Sequence, residues 1–179
     1  MTQDQPWDRQ AVHDELDRVR ADFRRLLARA TPGSLARSTS GTKWTNEQLL
    51  FHMLFGYMIV RALLPLVAAF GRLPGGASLG YARLLNVATR PFHFINYLGP
   101  RAAVHVYSPR RMGAKLDRVL AALHRSLDAA TAEDLARGMY YPVRWDPFFT
   151  AYMTLADLYR YPTRHYDFHR RQLTLDTSA

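Results

Sequence analysis

Three of the seven histidines in this chain of 179 residues stand at spacings that can bring their imidazoles together. His165 and His169 are four residues apart on a segment of helical periodicity, so both side chains leave the same helix face. His52 lies inside a second, apolar helical segment, where Leu49, Met53 and Gly56 share its face and direct it inward. His52 is roughly 10 Å from the start of its helix, and His165 and His169 are roughly 12 and 6 Å from the end of theirs. As antiparallel neighbours, those helices would bring the three rings to one level. Three neutral imidazoles meeting in a bundle suit zinc, nickel or another borderline divalent ion, with a fourth position open to water or substrate. An open position is the layout of a catalytic site. Spacing alone leaves a second reading, in which these are ordinary hydrogen-bonded core histidines.

The elements that must position these residues are four helical patterns and one long connection. The first covers residues 8–30, with Val12, Leu16, Val19, Phe23 and Leu26 stepping by four and three, and Thr31-Pro32-Gly33 stopping it. A polar loop is expected over 34–42. In the second, Thr45 and Gln48 form a capping box, Trp44 and Leu49 a hydrophobic staple, and Glu47 suits the helix dipole. It should run to about Phe70, bent at Pro65. Residues 71–108 read as an irregular connection with one short helical piece near 79–88, long enough for a crossover between helices pointing the same way. Ser108-Pro109 starts the third helix, 131–137 is a short helical turn, and 140–147 is extended and aromatic-rich. The last helix starts at Thr154, with Asp157 in its first turn, and reaches about Leu173 with a kink at Pro162.

The absence of cysteine excludes a disulfide scaffold, a thiolate zinc site and a cysteine nucleophile, and fits a reducing cytoplasm. The formal charge of +9, almost all of it arginine, should attract anions: nucleic acid, acidic lipid or a small carboxylate or phosphate. The first ten residues lack the order of a secretory signal. Residues 49–70 could span a bilayer by length, but Arg61, Gly56 and Pro65 interrupt them, and no transmembrane span is expected.

Other residues invite a role beside the histidines. Glu47 could bind substrate or metal, although helix-start electrostatics accounts for it. Gln172 lies on the His165 face and could reach a bound water. Arg61, on an apolar helix, would need an acidic partner such as Asp157 or a substrate carboxylate. Arg170 and Arg171 stand beside the ligand face, where they could draw in an anionic small-molecule substrate. Tyr166 and Asp167 should face away. His93 and His105 could line a pocket mouth, whereas His13 and His124 read as exposed helix residues.

The segment Lys43-Trp44-Thr45-Asn46-Glu47-Gln48-Leu49-Leu50-Phe51-His52 resembles the Trp-Thr-x-x-Glu/Gln-x-x-x-His entry of the DinB-like (damage-inducible) helical-bundle proteins. Met153-Thr154-Leu155-Ala156-Asp157, followed by His165, His169, Gln172 and Leu173, is similar to that family's last helix and its His-x-x-x-His-x-x-Gln ending. The resemblance covers essentially the whole chain. It implies an all-α four-helix bundle, up-down-down-up, with a long crossover between helices two and three, as a single domain over residues 1–179. It also implies a divalent metal, zinc or nickel above all, held by His52, His165 and His169. Relatives include transferases and isomerases that use a low-molecular-weight thiol, and others linked to hydrolysis. The resemblance therefore implies S-transfer or hydrolysis, with any thiol supplied from solution. The alternatives are a non-catalytic basic bundle that binds nucleic acid or acidic lipid, and a metal-stabilised bundle without turnover. The long aromatic-rich crossover and Pro162, one turn before His165, depart from the family's simplest pattern.

Overall fold

The computed structural model describes residues 7–175 and is mostly helical; the first six residues of the N-terminal segment read above lie outside it. In chain order the elements are α1 (Arg9–Arg29), α2 (Pro32–Ala36), α3 (Asn46–Phe70), α4 (Gly75–Val87), α5 (Thr89–Ala103), α6 (Pro109–Ala129), α7 (Ala132–Ala136), β1 (Gly138–Tyr140), β2 (Tyr152–Thr154) and α8 (Leu155–Arg170). The start signals act as the sequence predicts. Thr45 accepts from the Gln48 amide and Gln48 caps back, while Thr154 and Asp157 do the same for α8. Thr31 both follows the end of α1 and caps the short α2, so the expected loop over 34–42 begins as helix. Ser108 makes no side-chain cap; Pro109 alone marks the start of α6.

One expectation about the architecture needs correction. The 71–108 connection is not irregular but a pair of helices, α4 and α5, despite its glycines and prolines. Packing overrides local propensity here: α4 lies against β1 and α5 against α3. Trp145 pins the pair from outside, stacking on Phe92 at 4.0 Å and donating its indole N–H to the Leu85 carbonyl at 2.9 Å. The all-α class holds, with one small antiparallel hairpin, β1–β2, added, in which Met139 stands opposite Met153.

Side-chain pairings fix how the long helices run. Arg9 donates to the carbonyls of Leu127 and Ala130, and Arg24 reaches Asp117 at 2.8 Å, so α1 and α6 are antiparallel. Arg18 meets Asp167, and Tyr166 and Arg170 both donate to Asp22, so α1 and α8 run together. Tyr57 pairs with Thr163 while His52 meets His165, so α3 and α8 are antiparallel. The core between them is apolar, with Phe23, Leu50, Leu54, Leu116, Leu120 and Leu158 enclosed.

Helix α3 is the one described helix long and apolar enough to cross a membrane, and a third of its most apolar window is buried. Arg61 on that helix is exposed, so it needs no buried acidic partner. His13 and His124 are not the exposed residues the sequence implies. They stack between α1 and α6 with ring centroids 4.9 Å apart, Nδ1 to Nδ1 at 2.6 Å.

Candidate metal centre

The antiparallel pairing of α3 and α8 brings His52, His165 and His169 together, with one ligand nitrogen from each within 4.8 Å of the others. The Nε2 atoms of His52 and His165 are 3.1 Å apart. Two nitrogens on a tetrahedral ion, each about 2.0–2.1 Å from it, would stand about 3.3 Å apart. That pair stands at the spacing a divalent ion needs, and three imidazoles within 4.8 Å of one another suit such an ion.

Each ring is placed by a different device. Gly56 lies one turn after His52, and a Cβ there would sit 3.0 Å from His165 Nδ1, so the missing side chain is what admits the His165 ring. His169 Nδ1 stands 2.7 Å from Gln172 Oε1. An amide oxygen only accepts, so Nδ1 carries the proton and Nε2 is left with a free lone pair. Gln172, read from the sequence as able to reach a bound water, orients the His169 ring. Its own backbone is tied down by the Ser40 amide, which donates to its carbonyl at 2.8 Å. Trp44 covers His52 with ring centroids 4.6 Å apart, and its N–H holds the Tyr97 carbonyl of α5.

Burial sets the protonation state. Desolvation lowers the His52 pKa to about 3, with His169 adding to the fall. Desolvation, then His52 and His169, drive His165 well below the usual imidazole range. His169 is lowered by burial too, against the opposing pull of Gln172 and Asp146. All three are neutral at pH 7, the form that ligates metal. The Nδ1 atoms of His52 and His165 are buried with no hydrogen-bond partner.

One carboxylate the sequence reading overlooked joins the cluster. Asp146, from the loop between β1 and β2, places Oδ2 3.9 Å from His165 Nε2. It is held there by the Tyr161 hydroxyl at 2.8 Å and the Phe148 amide at 2.8 Å. No local spacing signals it; only the fold of the 141–151 loop onto α8 does.

The histidines and Asp146 belong to the wall of a cavity of about 750 Å3 bounded by α3, α4, α5, α8 and the 141–151 loop. Its surface is almost wholly apolar and aromatic, and among the described residues no Lys or Arg lines it. Glu47, whose pKa is raised by burial, and Arg61 are not part of that wall. Arg170 is engaged by Asp22 and Arg171 is exposed, and neither is part of the cavity wall. His93 does reach the rim, whereas His105 does not. Tyr166 and Asp167 face α1, as the spacing requires.

No match was found among curated proteins or among solved structures. A family model for the DinB superfamily matches residues 15–173, a span that includes all three histidines. With the match running from α1 to the residues just beyond α8, the chain belongs to the DinB superfamily.

Proposed function

We propose that this protein is a divalent-metal-dependent enzyme in which His52, His165 and His169 hold zinc or nickel at the wall of a substrate chamber. The carrying observation is the union of three neutral histidines with a cavity of about 750 Å3, since a purely structural ion has no use for a chamber. In this reading α1, α3, α6 and α8 form an up-down-down-up bundle in a single domain, supported by the directions of their side-chain pairings. A bound ion supplies Lewis acidity, which activates a water or a low-molecular-weight thiol. The chain has no cysteine, so the thiol comes from a soluble cofactor or the substrate, in a reducing cytoplasm.

The protein's own residues do the positioning. Gln172 presents the His169 lone pair, Gly56 admits His165, and Trp44 shields His52 from water. Asp146, fixed by Tyr161 and the Phe148 amide, accepts the proton of the group being activated, which serves S-transfer and hydrolysis alike. Cobalt(II) added to chelator-stripped protein tests this directly. The visible bands of a four- or five-coordinate site should develop, and a small neutral thiol should add a sulfur-to-cobalt charge-transfer band. A flat spectrum after titration would sink the proposal.

A second reading has one observation in its favour. Half of the exposed large apolar side chains, among them Leu84, Val87, Phe94 and Ile95, lie on α4 and α5 beside Arg83, Arg90 and Arg101. No Asp or Glu occurs between positions 48 and 116. That face would suit an anionic lipid surface, and it predicts salt-sensitive vesicle binding indifferent to His52→Ala.

A further inference from the structure

The cavity wall carries more information than the metal ligands. Along α3 it is formed by His52, Phe55, Ile59, Leu63 and Leu66. From His52 to Leu66 is roughly 20 Å of helix at 1.5 Å per residue, so the histidines sit towards one end of an elongated chamber. The opposite wall is Leu85 and Phe92 from α4 and α5, with Phe148 from the 141–151 loop. These side chains explain why a helix of membrane-like apolarity is only partly enclosed: much of its remaining apolar face borders the chamber. An apolar chamber of this volume binds a ligand chiefly by taking its apolar surface out of water.

Charge narrows the class further. Among the described residues Asp146 is the one acidic side chain on the wall, with no Lys or Arg there to balance a further anion. A divalent ion beside one carboxylate leaves a single net positive charge. A polyanionic ligand would enter this low-polarity chamber without partners for its remaining charges, at a large desolvation cost.

Building on the metal reading, we infer that the substrate is amphipathic. It has an extended apolar chain or ring system lying along α3, and one metal-liganding headgroup of at most one negative charge. Polar, multiply charged thiols are excluded as the body of the substrate.

The test is displacement of the neutral fluorophore N-phenyl-1-naphthylamine from zinc-loaded and zinc-stripped full-length protein. The competitors are straight-chain hydroxamic acids of increasing length, primary alcohols of matching length, and glutathione. Affinity of the hydroxamates should rise about three- to fourfold per methylene until the chamber is filled. They should outbind the matching alcohols only when zinc is present, and glutathione should not compete. Leu63→Trp should keep its zinc yet end the rise at a shorter chain, because the bulk fills the far part of the chamber. Affinity independent of chain length in a zinc-retaining protein, or efficient competition by glutathione, would overturn this inference and leave the metal site standing. A steep chain-length rise with no zinc bound and no preference for hydroxamates would overturn the metal reading and the headgroup half of the inference together.

Discussion

The protein holds two clusters of close histidines, and they are built in opposite ways. His13 and His124 stack between α1 and α6, with Asp128 3.0 Å from His13 Nε2 and Asp17 3.4 Å from His124 Nε2. Those acids are more than half exposed, so this cluster opens onto carboxylates and solvent at its edge. The cluster of His52, His165 and His169 is buried among aromatic rings, with Asp146 as the one carboxylate near it among the described residues and two Nδ1 atoms without partners. Proximity of histidines is therefore not the signature of a metal site. What distinguishes the second cluster is three imidazoles converging among aromatic rings, together with a cavity beside them.

The largest difference between the clusters should be in metal content. His165→Ala/His169→Ala should reduce bound divalent ion from about one equivalent to near none, while His13→Ala/His124→Ala should leave it unchanged by elemental analysis. Gln172→Ala comes next. Loss of the acceptor that fixes the His169 tautomer should weaken zinc binding about 10- to 100-fold, and Gln172→Glu, which restores an acceptor, should recover most of it.

Acid should separate the clusters more gently. Above about pH 6.5 neither folded nor unfolded protein protonates His52; below that the unfolded chain takes up a proton, which the folded one refuses until about pH 3. Folding of chelator-stripped protein should therefore lose stability as pH falls, on the order of 1 kcal/mol from His52 alone by pH 5.5. Thermal unfolding between pH 7.5 and 5.5 should show a flatter decline in His52→Gln. His124→Gln should flatten it less, because Asp17 opposes the effect of burial on that half-buried ring.

Gly56→Ala should have the smallest effect on stability. The gain in helix propensity and the crowding of His165 are each about 1 kcal/mol and oppose one another. Zinc affinity, which feels only the displaced ring, should nevertheless fall, and paired unfolding and zinc titrations would detect the divergence.

What could be read from the sequence was local. Thr45 with Gln48 and Thr154 with Asp157 are contacts three residues apart, and His165 with His169 four apart, so spacing alone placed them. Asp146 and the covering Trp44 act across the fold, through a loop and a helix start, and no periodicity marks either. The α4–α5 pair was hidden by Pro91, Gly99 and Pro100, which read as breakers until packing against α3 and the Trp145 clamp hold the helices in place. Arg61 misled because an apolar helix implies burial on every side, whereas α3 is enclosed mainly along its first half and borders the chamber and solvent along the rest. Arg170, expected beside the histidines, is instead engaged by Asp22 of α1, a partner far away in sequence that no local spacing reveals.

The most direct test of the central claim is calorimetric titration of zinc into tag-free, chelator-stripped protein, run beside His52→Ala and His13→Ala. The account predicts one tight site in wild type and His13→Ala that is lost in His52→Ala. Equal binding by all three proteins, or none in wild type, would contradict it.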